Sequence, residues 1–96
     1  MIREEIENII LNYLIQFKPE RIGIFGSFAR NQSSTLSDID LLVKFKKAPS
    51  ILQLIMMENE LSVKIGRKVD LVTDGALTNT RIRKNIQKDL YVIYNA

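Results

Sequence analysis

The apolar positions of the chain switch between helical and strand spacing. Near the amino terminus, isoleucine, leucine and aromatic residues recur every three or four positions, which predicts an amphipathic helix. These residues are Ile2, Ile6, Ile9, Ile10, Tyr13, Leu14 and Phe17. Pro19 is expected to end the helix, because a proline disfavours helical geometry at the residue before it. The short apolar run 21–25 then predicts a buried strand that leads into a turn at Gly26.

Three further β-prone segments follow. Residues 31–37 have the composition of a loop, and residues 38–45 predict a second strand. Residues 68–72 predict a third strand, and residues 90–94 a short fourth one.

Two more helices are predicted between these strands. The apolar face of the first is expected to consist of Ile51, Leu54, Ile55, Leu61 and Ile65. Gly66 suits the position that ends it. Leu77, Ile82 and Ile86 predict a last helix. The order of elements favours an α+β (mixed α/β) fold, with a small mixed sheet of three to four strands flanked by helices and residues 1–96 forming a single domain.

The composition restricts the chemistry that the chain can carry out. Hydrophobic residues make up 46% and charged residues 26%, which is typical of a globular protein. The chain has no Cys, which excludes a disulfide scaffold and a thiolate zinc site, and no His, which excludes a Ser-His-Asp triad. Any reaction must therefore use carboxylates, hydroxyls, backbone amides, Lys and Arg.

Charge and hydropathy bear on location and partners. No apolar run reaches the ~20 residues that cross a bilayer, and residues 1–10 are too charged for a signal peptide. The sequence thus predicts a cytoplasmic protein without membrane contact. The net charge of +3 is a weak indication of a nucleic acid partner. The basic residues of the last helix fit a solvated helix face equally well: Arg81, Arg83, Lys84 and Lys88.

Acidic residues stand out in two of the predicted strands. Asp38 and Asp40 are two residues apart and should point to the same side, opposite a core-facing row formed by Ile39, Leu41 and Val43. Asp70 lies between apolar residues of the third strand. If these two strands are neighbours, each pair of carboxylates at ~5 Å costs roughly 3 kcal/mol at an effective dielectric constant near 20. With no Lys inside either strand core, hard divalent ions are expected to offset this repulsion. Two Mg²⁺ ions at such carboxylates indicate phosphoryl or nucleotidyl transfer.

The turn at Gly26 and Ser27 supplies a complementary phosphate site. Gly26 allows a sharp turn and a close approach of phosphate. If a helical turn begins at Ser27 or Phe28, its free N–H groups and the Ser27 hydroxyl could bind an anion. Arg30 is a candidate phosphate ligand, although a surface ion pair would explain it as well. Each motif alone is common in ordinary turns and strand edges; the prediction depends on their combination.

These residues resemble a known motif. The segments 25–30 and 37–41 resemble the nucleotidyltransferase motif of the DNA polymerase β-like superfamily, in particular its minimal (MNT) branch, as found in HEPN/MNT toxin–antitoxin modules. The segment 66–72 is similar to the third-strand segment of that branch, and residues 81–94 are similar to its usual ending. One departure is Asn31, where the branch often has Gly; Asn tolerates left-handed geometry, so little damage to the turn is expected.

The resemblance implies a role for each site residue. Asp38 and Asp40 would bind two Mg²⁺ ions, and Asp70 would complete the metal site and act on the acceptor hydroxyl. Gly26 and Ser27 would hold the phosphates of a nucleoside triphosphate. The implied reaction transfers a nucleoside monophosphate, AMP from ATP, to a hydroxyl of a partner HEPN-domain toxin, so that the chain acts as its antitoxin.

Two other functions remain open at this point. The chain could neutralise its partner by occlusion without catalysis, or it could transfer a nucleotide to RNA or to a small molecule. The sequence also leaves open whether the chain forms a homo-oligomer.

Overall fold

The computed structural model describes residues 1–30 and 37–96. Most of the predicted loop 31–37, including Asn31, lies outside the described residues. The helices are α1 (Arg3–Leu14), α2 (Gly26–Ala29), α3 (Ile51–Ile65) and α4 (Thr80–Asp89). The strands are β1 (Pro19–Phe25), β2 (Ile39–Phe45), β3 (Val69–Thr73) and β4 (Tyr91–Asn95).

The described strands form one mixed sheet in the order β3-β2-β1-β4. Strands β2 and β3 are parallel, and α3 connects them. Strand β1 pairs antiparallel with both β2 and β4. The α+β fold class and the four-stranded mixed sheet expected from the sequence are therefore confirmed.

The end of α1 follows from the proline. After Leu14 the chain makes a 3₁₀ turn over Ile15–Phe17, and Lys18 then adopts left-handed geometry with φ 54° and ψ 60°. Helical geometry at Lys18 is disfavoured because Pro19 follows it. The strand begins at Pro19 itself, two residues earlier than the apolar run predicts.

The helices α1 and α3 share one core with the sheet. From β2, Ile39, Leu41 and Val43 are fully buried, as their alternation predicts. Ile6, Ile10 and Leu14 of α1 lie in the same cluster as Met57, Leu61 and Ile65 of α3.

The buried face of α3 differs from the prediction. Leu61 and Ile65 are buried, but Ile51 is 76% exposed and Ile55 is 47% exposed. At 100° per residue, Ile55 lies about 120° around the helix from Leu61 and therefore outside the core stripe. Met57, rather than Ile55, is buried in the core. The apolar spacing could not distinguish these positions, because α3 carries apolar residues around most of its circumference.

The last helix begins later than expected. Asn79 caps α4: its Oδ1 accepts hydrogen bonds from Arg81 N at 2.9 Å and from Ile82 N at 3.2 Å. Leu77, predicted to belong to this helix, therefore precedes it. In the described part of the chain, no helix has the length and apolar character needed to cross a membrane.

Candidate active site

Two of the candidate carboxylates lie side by side in the sheet. Strands β2 and β3 pair in parallel, and their register places Asp40 directly opposite Asp70. Both point to the face opposite the core row of Ile39, Leu41 and Val43. The supposition that these two strands are neighbours with their acidic faces aligned is therefore correct.

The third carboxylate belongs to the same group. Asp38 lies immediately before β2, and its carboxyl group is close enough to that of Asp70 to raise the pKa of Asp70. Among residues 1–30 and 37–96, no three acidic side chains are gathered closely enough to hold a metal ion as they stand. The structure thus shows three neighbouring carboxylates, but not a preformed metal cage.

The proximity of the acids changes their ionisation. Burial raises the pKa of Asp40 above its usual value, and the negative charges of Asp70 and Asp38 raise it further, while Lys68 opposes the rise. Burial also raises the pKa of Asp70, against the opposing charge of Lys68, and Asp38 adds to the rise. Both carboxyl groups therefore bind a proton more readily than a free aspartate does.

A lysine just outside the strand core reaches these acids. Lys68 directly precedes β3, and its Nζ lies 3.8 Å from Oδ1 of Asp70. The Lys68 side chain is 69% exposed, so this ion pair is weak and is screened by solvent. The ammonium of Lys68 opposes the rise in the pKa values of Asp40 and Asp70, but burial and the neighbouring carboxylates keep both values raised.

The glycine turn borders the acids. Phe25, the last residue of β1, pairs with Asp40 in the sheet, and the helical turn α2 begins at the next residue, Gly26. Gly26 has φ +78°, a left-handed conformation that glycine adopts without strain. A methyl group at its α-carbon would overlap Oδ2 of Asp40. Two features therefore favour glycine at this position: the left-handed backbone geometry and the space that the carboxylate of Asp40 occupies.

The other two predicted phosphate ligands lie on the same turn. Ser27 is half-buried in the first turn of α2. This helix begins at Gly26, one residue before the earlier of the two predicted starts, Ser27 and Phe28. Arg30 follows the turn, and its Nη1 lies 2.6 Å from Oδ2 of Asp89 at the end of α4. Arg30 is thus engaged in the surface ion pair that the sequence left as its alternative role. This pair also connects α2 to α4.

Two residues with contacts at this site were not singled out from the sequence. Arg67 donates two hydrogen bonds to the carbonyl oxygen of Ser37, next to Asp38. Glu58 of α3 accepts a hydrogen bond of 2.7 Å from Leu71 N, and its charge adds to the rise of the pKa of Asp70. No pattern indicated either contact, because each joins residues that are distant along the chain.

The basic residues of the last helix divide into two groups. Arg83 points back to the turn before α4, where it donates to the carbonyl oxygens of Leu77 at 2.7 Å and Asp74 at 3.1 Å. Arg81, Lys84 and Lys88 are exposed. Arg83 is therefore a structural residue of this helix, and only the other three form the basic surface.

The chain is similar to known proteins over most of its length. Residues 4–96 match the family described as polymerase beta, nucleotidyltransferase. The chain is 45% identical over 78 residues to "Putative protein adenylyltransferase MJ0128" of Methanocaldococcus jannaschii, covering 81% of this chain and 80% of that protein. It is 34% identical over 93 residues to protein adenylyltransferase MntA of Thermococcus cleftensis, covering 93% of this chain and 94% of that protein.

The fold also matches a solved structure. A complex described as a tri-AMPylated Shewanella oneidensis HEPN toxin with an MNT antitoxin contains a chain that superimposes with a TM-score of 0.81. The sequence identity is 20%, and the match covers 99% of this chain and 74% of the other. At this identity the similarity concerns the fold. The family match over nearly the whole chain, together with the close relatives, shows that the chain belongs to the polymerase β family of nucleotidyltransferases.

Proposed function

We propose that this nucleotidyltransferase transfers AMP from ATP, with Mg²⁺, to a hydroxyl group of a HEPN-domain partner and thereby acts as an antitoxin. The observation that carries the proposal is the register of Asp40 with Asp70, with Gly26 against the carboxylate of Asp40. The acidic cluster and the Gly26-Ser27 turn therefore lie together where β1 ends and β2 begins. The names of the two relatives as protein adenylyltransferases support the same reaction.

The residues present fit Mg²⁺ by their chemistry. The cluster offers only oxygen ligands, which hard divalent cations prefer. Burial, together with the neighbouring carboxylates, raises the pKa values of Asp40 and Asp70, and a bound cation would stabilise their charged forms. When bound, two such ions would supply positive charge to the triphosphate and to the acceptor oxygen. Asp38, Asp40 and Asp70 are the residues that would hold them.

The remaining residues bind and orient the reactants. Gly26 and Ser27 would hold the β- and γ-phosphates, with Arg30 as a further phosphate ligand. The acceptor oxygen attacks the α-phosphorus, a new P–O bond forms, and the bond to the β-phosphate oxygen breaks. Pyrophosphate leaves, and the proton of the hydroxyl passes to the carboxylate of Asp70.

A protein acceptor agrees with the exposure of the site. The side chains of Asp38, Asp40 and Asp70 are all partly exposed, so a partner could present a hydroxyl group to them directly. The complex of an AMPylated HEPN toxin with an MNT antitoxin supports a HEPN-domain protein as this partner. The cytoplasmic location and a single domain over residues 1–96 remain predictions.

The test is transfer of label from ATP. The chain is incubated with α-labelled ATP, Mg²⁺ and the product of the adjacent gene, and we expect label on that protein. Asp38→Ala should abolish the transfer, whereas Glu4→Gln, which changes an exposed acid of α1, should leave it unchanged. Absence of label with the unmodified chain, or equal labelling by Asp38→Ala, would contradict the proposal.

Two further measurements test the alternative functions. If Asp40→Asn still neutralises the toxin in cells, occlusion is sufficient. If label appears on RNA instead, the exposed basic residues of α4 are its expected contact. Replacing Arg81, Lys84 and Lys88 by Gln should then reduce the salt dependence of RNA binding.

A further inference from the structure

The peptide groups on both sides of Asp38 form hydrogen bonds with consecutive residues, Arg67 and Lys68, that lie just before β3. On one side, Nε and Nη2 of Arg67 donate to the carbonyl oxygen of Ser37 at 3.1 and 2.9 Å. On the other side, Ile39 N donates to the carbonyl oxygen of Lys68 at 2.9 Å. The peptide groups before and after Asp38 are therefore both attached to the segment that leads to Asp70.

The guanidinium of Arg67 also reaches the helical turn α2, here called the phosphate turn for its proposed role. Its Cζ lies 5.3 Å from the centroid of the Phe28 ring, within the range of a cation–π contact. Phe28 is only 5% exposed and directly follows Ser27 in α2. A single side chain thus contacts the peptide group before Asp38 and the helical turn that contains Gly26 and Ser27.

Arg3 holds the same aromatic ring from another part of the chain. Its Cζ lies 5.1 Å from the ring centroid, and its Nη1 donates to the carbonyl oxygen of Phe28 at 3.0 Å. Arg3 therefore supports α2. In the described part of the chain, Arg67 contacts both the carbonyl oxygen of Ser37 and the ring of Phe28.

We propose that Arg67 is a positioning residue that holds Asp38 at a fixed distance from the phosphate turn and from Asp70. This inference rests on the proposed function, since it assigns a use to the same cluster. The role requires an arginine, because its planar fork donates two hydrogen bonds that converge on one oxygen while its guanidinium lies over an aromatic ring. A lysine keeps the charge, but without a planar fork it cannot hold the Ser37 carbonyl oxygen and the Phe28 ring at a fixed geometry.

The test compares Arg67→Lys and Arg67→Met with Arg83→Met. Arg83 is a matched control, because it also donates from its guanidinium to backbone carbonyl oxygens and is partly buried, but it lies on α4. Mn²⁺ affinity is measured with a non-hydrolysable ATP analogue present. Residues that orient metal ligands typically contribute 10–100-fold in affinity, so we expect a loss of about tenfold or more for both Arg67 variants. The Mn²⁺ affinity of Arg83→Met should stay within about twofold of that of the unmodified chain, even though its melting temperature should fall by a similar amount.

A second measurement does not depend on metal. Hydrogen exchange at the Ile39 amide, in the absence of nucleotide and metal, should become at least several-fold faster in Arg67→Lys and Arg67→Met, and not in Arg83→Met. If the unmodified chain binds no Mn²⁺, the proposed function fails, while the exchange rate still decides the role of Arg67. Unchanged exchange at Ile39 in both Arg67 variants would overturn the inference. An equal effect of Arg83→Met would overturn it as well, because the role would then be general stability.

Discussion

The α-carbon of Gly26 lies against the carboxylate of Asp40, so closely that a methyl group at Gly26 would overlap Oδ2. The contact follows from the sheet: Phe25 and Asp40 are partners in the β1–β2 register, and Gly26 is the next residue. The Gly26-Ser27 turn and the acidic cluster are therefore in direct contact, and a side chain larger than hydrogen at Gly26 would displace the carboxylate of Asp40.

Gly26→Ala is expected to destabilise the chain and to abolish nucleotidyl transfer. The left-handed backbone at φ +78° costs an alanine about 1–2 kcal/mol, and the overlap with Asp40 displaces a carboxylate of the site. Gly66→Ala is the matched control, because Gly66 has φ +77° but open space around its α-carbon. Melting curves should show a loss for both variants, at roughly 4–8 °C per kcal/mol, whereas only Gly26→Ala should lose activity. Full activity of Gly26→Ala would contradict the contact described here.

Asp40→Asn is expected to stabilise the metal-free chain at neutral pH while abolishing activity. Because the pKa of Asp40 is raised in the folded state, folding favours its protonated form, and this contribution is lost as the pH rises above the unfolded value near 4. The amide removes the repulsion from Asp70, which as a cross-strand pair of like charges costs roughly 0.2–1 kcal/mol. At pH 7 the melting temperature should therefore rise by about 1–8 °C, and the difference should shrink below pH 4. A variant that is less stable than the unmodified chain at pH 7 would show that Asp40 does not carry unfavourable charge.

Mg²⁺ is expected to raise the melting temperature of the unmodified chain at pH 7 and to have less effect at pH 4. Cations bind carboxylates in competition with protons, and Asp40 and Asp70 both have raised pKa values. Scanning calorimetry with and without saturating Mg²⁺ and an ATP analogue measures the difference. Asp40→Asn serves as the control and should respond less. A melting temperature at pH 7 that is indifferent to both ligands would count against a metal site.

Arg30→Gln is expected to weaken ATP binding by about tenfold, and Asp89→Asn to leave it unchanged or to strengthen it. The Arg30 guanidinium is held 2.6 Å from Asp89, and a phosphate would compete with that carboxylate for the same donor. Equilibrium binding of labelled ATP to both variants distinguishes the two roles of Arg30. If Asp89→Asn weakens binding as much as Arg30→Gln does, the ion pair itself is what supports the turn, and Arg30 is not a phosphate ligand.

Arg83→Gln is expected to destabilise the chain by roughly 1–2 kcal/mol, because it removes hydrogen bonds to two carbonyl oxygens and an ion pair with Asp74. Arg81→Gln, on the same helix but exposed, should change the free energy of unfolding by less than about 0.5 kcal/mol. Urea denaturation of the two variants measures the contrast. Equal stabilities would show that the Arg83 contacts contribute little.

Local patterns accounted for most elements and for the main acids of the site. Alternation along β2 placed Asp40 opposite the core row, and Pro19 predicted the end of α1. The face of α3 and the start of α4 were predicted wrongly. In α3 the apolar residues exceed those that the core accepts, and in α4 the cap at Asn79, rather than the apolar spacing, determines the first turn.

The sequence by itself determined the residue types of the site and their spacing: a chain without Cys or His, with Gly26-Ser27 followed by Asp38 and Asp40. Tertiary structure alone decided which of these residues meet. The register of β2 with β3 brings Asp70 beside Asp40, Lys68 reduces their repulsion, and Arg67 ties Ser37 to Phe28. The physical reason is that local propensity depends on neighbours along the chain, whereas charge repulsion, close contact and hydrogen bonding depend on distances that only folding sets.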